Sequence, residues 1–133
     1  MMAGSQAYLL DTHALIWWWL GDPALSARAK DIMSERAGPI HVSAVSGIEI
    51  ALKVRAGRLP SLAELVLRFD ANVLDEDFRH LDIRHDHAVR AGLMPGEPRD
   101  PFDRILAAQA LIEELTVVTR DPAFAAFGCE VIW

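Results

Sequence analysis

The sequence predicts an α/β fold, a short and mostly parallel β-sheet flanked by helices on both faces. Two observations carry this expectation. Short apolar runs, such as residues 7–10 and 115–119, alternate with longer helical patterns, as they must when each strand returns to the next through a crossover helix. Those runs are also apolar nearly throughout, which suits strands covered on both faces.

Residues 7–10 read as the first buried strand and residues 12–20 as the first helix, ended by Asp22-Pro23. Ser26 caps a second helix to about residue 37. Gly38-Pro39 turns the chain into a strand at 40–42, and Ser43 caps a helix to about residue 56, closed by Gly57. Ser61 starts another helix to about residue 73, with Leu62, Leu65, Val66 and Phe69 on one face. A less regular strand is expected at 78–83 and a short helix at 85–93. Asp100-Pro101 is the clearest helix start in the chain, an N-cap followed by proline at the first helical position, and this helix runs to about residue 114. A β-branched strand at 115–119, a helical turn at 122–127 and a strand at 130–133 complete the order, with more helix than strand.

Composition limits what such a protein can do. The 133 residues suit one domain, 1–133, with no internal repeat, low-complexity tract or linker. At 52% hydrophobic and 24% charged residues the chain is a folding one, not a disordered one. The single Cys129 excludes an internal disulfide and fits a reducing, cytoplasmic setting. The apolar run at 7–20 has no basic leader, contains Asp11 and His13, and falls short of the roughly 20 apolar residues of a membrane span. Neither secretion nor a membrane partner is therefore expected. A net charge of -6 excludes gripping nucleic acid by bulk positive potential. A nucleic-acid partner would need its phosphates offset by something local, such as a divalent cation.

In open α/β sheets ligands bind at the carboxyl ends of the strands, where strand order switches. Acids just after a strand or at a helix start are therefore the site candidates, and four qualify. Asp11 follows the first strand within an apolar run, where an unused charge is costly; an N-cap and a site acid are compatible roles for it. Glu49 completes Ser46-Gly47-Ile48-Glu49, which matches a capping box. If the helix instead starts at Ser43, Glu49 falls in the second turn and can reach over the strand ends. Asp103 stands at the third position of the Asp100-Pro101 helix, and its neighbours one and two turns on, Ala107 and Ala110, are small enough for close approach to the sheet. Asp121 follows a strand and precedes Pro122, as a cap or a site acid; Thr119 beside it is placed to hydrogen-bond a coordinated water. Oxygen donors of this kind are what Mg²⁺ or Mn²⁺ prefers.

The other candidates carry less. The five histidines show no zinc-ligand spacing, and His13 reads as a packed or capping residue. Trp17, Trp18 and Trp19 cannot all face inward from one helix, so at least one is expected at a partner interface. Arg99, Arg104 and Arg120 flank the acids in sequence and are candidate phosphate contacts.

The pieces 9–15 (LLDTHAL), 42–53 (VSAVSGIEIALK), 100–110 (DPFDRILAAQA) and 118–121 (VTRD), in this order, resemble the PIN-domain family and within it the VapC-type toxins of bacterial toxin–antitoxin pairs. The resemblance spans essentially the whole chain. It implies a PIN-like three-layer fold and a metal-dependent endoribonuclease whose acids are Asp11, Glu49, Asp103 and Asp121. Asp11, Asp103 and Asp121 would be ligands of Mg²⁺ or Mn²⁺, and Glu49 would ligate or orient the nucleophile. Thr12, Thr119 and Arg104 would support the site or bind substrate. It further implies an RNA substrate, a homodimer and a cognate antitoxin protein. Two departures stand at Gly47, where relatives often carry a bulky residue, commonly Trp, and near Pro98, where they carry His; both leave the acids intact.

Rival readings are a phosphoryl-transfer enzyme of similar architecture and a non-toxic nucleic-acid- or protein-binding module whose acids are only caps. A haloacid-dehalogenase-like phosphatase needs a second aspartate at position 13, where this chain has histidine; a receiver domain needs adjacent acids after the first strand and a late lysine.

Overall fold

A computed structural model describes residues 6–35, 38–96 and 100–133. The expected end of the second helix at residue 37, the Arg99 phosphate contact and the departure near Pro98 lie outside the described residues.

Among the described residues five strands form one sheet: β1 (Tyr8–Leu10), β2 (Ile40–Ser43), β3 (Arg79–Leu81), β4 (Thr116–Val118) and β5 (Val131–Ile132). Their order is β3-β2-β1-β4-β5, and every neighbouring pair is parallel. The chain builds outward from β1 to β3, then returns to the other side of β1 for β4 and β5. The switch in strand order therefore lies between β1 and β4, where Leu10 is paired with Val118. A crevice at the carboxyl ends of these two strands is where such a sheet binds ligands.

The helices are α1 (Thr12–Leu20), α2 (Ala27–Glu35), α3 (Ala44–Arg55), α4 (Ala63–Val66), α5 (Phe69–Asp75), α6 (His85–Leu93), α7 (Pro101–Glu113) and α8 (Pro122–Ala126). They cover both faces of the sheet, as expected, and the strand side chains divide between two cores. Tyr8, Leu10, Ile40, Val42 and Val118 pack with Leu15, Met33, Ile50 and Phe78 on one face. Leu9 and Val117 pack with Leu106, Ala107, Ala110 and Phe124 on the other. Adjacent strand residues point to opposite faces, so a two-sided core requires an unbroken apolar strand. The buried runs of β1 and β4 are that requirement met.

Local sequence explains the element ends. Ser43 caps α3 by accepting from the Val45 N–H at 3.0 Å; the helix start is there, not at Ser46. Asp100 accepts from the Phe102 N–H at 2.9 Å and caps α7 as read. Gly21 closes α1 in the left-handed region at φ 65°. Gly38 leads into β2 under a different constraint, since a Cβ there would sit 1.7 Å from the Gln6 carbonyl oxygen.

One expectation is corrected. The single helix expected to about residue 73 is broken into a 3-10 turn (Pro60–Leu62), α4 and α5. Between α4 and α5 the ladder tightens, with Leu67 N–H donating to Glu64 O and Arg68 N–H to Leu65 O. The Asn72 side-chain amide donates to the carbonyls of Leu65 and Arg68, a second bond to each that ties the end of α4 to the start of α5. The tryptophans of α1 contribute to the core. All three are half-buried against the first core: Trp17 packs edge-on to Trp133, Trp18 against Phe78, and Trp19 edge-on to Phe69. The Trp19 indole N–H also donates to Glu76 Oε2 at 3.1 Å. The large apolar side chains left exposed lie elsewhere, among them Ile48 and Leu52 on α3 and Leu67 after α4.

Candidate active site

Asp11 leaves the sheet at the end of β1, the central strand. Its main chain continues the sheet, donating N–H to Val118 O at 3.1 Å. It occupies the N-cap position of α1, yet its carboxylate makes no capping hydrogen bond. The His13 N–H lies near enough to favour the ionised form without reaching hydrogen-bond geometry. Asp11 Oδ2 instead accepts from the Thr119 hydroxyl at 2.8 Å. A buried carboxylate not spent on its own helix is free for chemistry.

Thr119 is buried after β4, donates its proton to Asp11, and accepts from the Asp121 N–H at 3.0 Å. The hydroxyl ties the ends of β1 and β4 together and fixes one Asp11 oxygen.

Asp121 caps α8, with Oδ1 accepting from the Ala123 N–H at 2.9 Å, and its second oxygen is not used in that cap. Glu49 is buried in the second turn of α3. Its Oε2 lies 4.0 Å from Lys53 Nζ, while Oε1 is buried with no hydrogen-bond partner. An orphaned buried carboxylate oxygen is costly enough to require an occupant or a function. Asp103 lies in the first turn of α7, with Ala107 and Ala110 buried beneath it as the spacing predicted.

The four acids feel one another. Burial, followed by the charges of Asp100, Asp11, Glu49 and Asp121, pushes the Asp103 carboxyl up to about 7. Burial also raises Asp11 above the ordinary carboxylate range, opposed by the Thr119 hydroxyl and the His13 charge and assisted by Asp121. The cluster therefore resists full ionisation unless a cation joins it. The donor set is all oxygen, as a hard divalent ion requires. The fit is one of donor chemistry and charge, not of a preformed cage: among the described residues no three His, Cys, Asp or Glu side chains stand in metal-holding geometry.

Of the supporting residues, Thr12 is buried and its hydroxyl meets Ser46 Oγ at 2.9 Å, joining α1 to α3 beneath Asp11 and Glu49. The sequence pointed to Ser46 only as a possible cap; its signal was a hydroxyl three residues before Glu49 on a buried helical face. Arg104 is not a phosphate contact. It is buried, donating Nε to Ala91 O at 2.9 Å and Nη2 to Met94 O, with its guanidinium 5.8 Å from the Phe127 ring centroid. Those carbonyls end α6, where helix acceptors lack partners; Arg104 closes that end and is consumed in doing so. His13 is exposed and packs on Trp17, with ring centroids 5.6 Å apart. His87 is fully buried and faces Glu113, away from any zinc-like grouping.

Comparison with known proteins gives the family and the fold. The family model described as PIN domain matches residues 8–128. Ribonuclease VapC22 of Mycobacterium tuberculosis (strain ATCC 25618 / H37Rv) is 32% identical over 114 residues, 85% of each chain. A chain of FitAcB from Neisseria gonorrhoeae superposes with a TM-score of 0.66 at 25% identity, over 95% of this chain and 96% of that one. A chain of the VapBC2 structure from Rickettsia felis, bound to a DNA fragment from its promoter, shares the fold with a TM-score of 0.72 at 16% identity, over 96% and 98%.

Proposed function

Because the chain belongs to the PIN-domain family, we propose that it is a VapC-type endoribonuclease, a single PIN unit that cleaves RNA and is neutralised by a cognate antitoxin. The observation that carries this reading is the acid cluster at the β1/β4 switch point. Asp11 is withheld from capping, Glu49 has an orphaned oxygen, and Asp103 is pushed up to about 7 by burial and then by its acidic neighbours, the capping Asp100 first among them. Capping roles alone would not account for the free oxygens of Asp11 and Glu49.

Asp11, Asp103 and Asp121 would hold Mg²⁺ or Mn²⁺, with Glu49 as a further ligand or as the group that orients the attacking water. Such an ion, when bound, lowers the pKa of water and offsets charge developing on the phosphate. The chain's own part is positioning. Thr119 locks one oxygen of Asp11, Thr12 and Ser46 hold α1 against α3, and Ala107 and Ala110 let α7 bring Asp103 to the strand ends. Glu49 Oε1, buried and unpartnered, is the oxygen that remains to ligate the ion or to orient the water. Among the described residues no serine, cysteine or histidine is arranged as a covalent nucleophile.

The resemblance also supports a homodimer. The surface offered to the antitoxin is apolar: Ile48 and Leu67 edge an open groove of about 470 Å³ floored by Phe69, and Leu52 lies one turn beyond Ile48. Among the described residues no helix is long and apolar enough to cross a membrane.

RNA cleavage by the purified protein, measured with Mn²⁺ and with EDTA for wild type and Asp11→Asn, tests the reading. Activity is expected only for wild type with Mn²⁺. Undiminished cleavage in EDTA, or by Asp11→Asn, would overturn it.

A further inference from the structure

A cluster of acids repels the RNA it is meant to cut, and the chain's net charge of -6 makes this worse. A substrate phosphate has to be received by a cation that the acids do not neutralise. Arg104 is excluded because it is buried against α6. Lys53 is engaged with Glu49. Arg120 is different. It stands between Thr119, which holds Asp11, and Asp121, yet among the described residues it has no ion-pair partner. Its guanidinium lies 4.5 Å from the centroid of the Trp17 ring instead. It is exposed, while the ring beneath it is half-buried and braced edge-on by Trp133 at 5.8 Å.

An arginine stacked on an aromatic face keeps its charge and the donors at the rim of its planar fork, while the ring limits its rotamer freedom. That is the geometry for a bidentate contact to a phosphate. From the stacking of Arg120 on Trp17 and its place in the chain between Thr119 and Asp121, we infer that Arg120 binds a backbone phosphate of the RNA strand crossing the site, and that Trp17 is the positioning residue that aims it. The inference rests on the ribonuclease reading and deepens it: the ligand is a single-stranded phosphodiester next to the scissile one. It also gives the Trp17–Trp133 pair a task beyond filling core.

The test is fluorescence anisotropy of a labelled single-stranded RNA of mixed sequence against the full chain, in Ca²⁺ and across 50 to 300 mM KCl (roughly the range over which counterion release is read). Cleavage in Mn²⁺ is run alongside. Arg120→Ala is expected to weaken binding about tenfold, the loss of one charge-assisted contact. It should also flatten the slope of log affinity against log salt by about 0.7, the value for one phosphate on a single strand. Arg120→Lys keeps the charge without the planar fork, so it should retain the slope and lose part of the affinity. Trp17→Leu, which leaves the charge and removes the platform, should behave in the same way. A purely structural staple between α1 and the β4–α8 loop would leave the salt slope untouched. If Arg120→Ala binds with wild-type affinity and slope while the wild type still cleaves RNA, the Arg120 assignment fails and the ribonuclease reading stands. If the wild type neither binds nor cleaves, both fail.

Discussion

Asp100 and Asp103 stand three residues apart and act on the fold in opposite senses. Asp100 satisfies a free helix N–H, so Asp100→Ala should cost about 1 kcal/mol of metal-free stability and leave substantial cleavage activity. Asp103 is forced among like charges, so Asp103→Asn should leave metal-free stability unchanged or raised while abolishing cleavage. Thermal melts beside an RNA cleavage assay check both. The pH dependence follows from the same carboxyl. Its pKa is raised in the folded state from 3.8 to about 7, so between these values the folded protein holds the proton more tightly than the unfolded one. The corresponding stability is fully present below about pH 4 and lost as pH rises towards 7. Asp86 and Glu113, whose carboxyls are lowered by Arg84 and His87, contribute in the opposite sense at acid pH. The difference between wild type and Asp103→Asn isolates the term. In metal-free urea melts the wild type should lose stability relative to Asp103→Asn from pH 4 to pH 8, and a constant difference would contradict the shift.

At the scale of elements, Arg104 shows what sequence proximity conceals. Its position one residue from Asp103 placed it beside the site, but successive helical residues point about 100° apart, and the side chain runs to the end of α6 instead. Arg104→Met should therefore destabilise the fold by roughly 2–3 kcal/mol, from carbonyls left unpaired, without the change in salt dependence expected of a phosphate contact. Urea denaturation and the RNA-binding slope read the two effects separately. Most elements were legible because each carries its own start or stop: Ser43, Asp100-Pro101, Gly21 and the unbroken apolar strands. The break between α4 and α5 was not, because it is made by tightened backbone bonds and by the Asn72 amide, which no periodicity announces. Nor were the tryptophan contacts, which depend on Phe69, Phe78 and Trp133, residues far away in sequence. Asp11, Asp103 and Asp121 stand at strand ends or helix starts, the positions the strand-end rule selects, while Glu49 lies in the second turn of α3. Which of them would cap and which would not, Asp121 as against Asp11, needed coordinates.

For the whole molecule, the parallel sheet brings acids scattered over more than a hundred residues near enough for the charges of Asp11, Glu49 and Asp121 to act on Asp103, and it leaves Ile48, Leu52 and Leu67 outside both cores. A partner that docks there should be weakened by Ile48→Glu or Leu67→Glu at least tenfold, while isolated toxin cleaves RNA as before; co-purification with the antitoxin and a cleavage assay distinguish surface from site. The central claim is that these acids form one metal-dependent centre, and the most direct measurement is Mn²⁺ titration by calorimetry on wild type, Asp100→Ala and Asp103→Asn. Wild type and Asp100→Ala should bind Mn²⁺ and gain thermal stability from it, as a ligand of the native state must give, while Asp103→Asn should lose most of both. If Asp103→Asn binds and is stabilised like the wild type, or Asp100→Ala is the variant that loses the response, the acids are not the centre described.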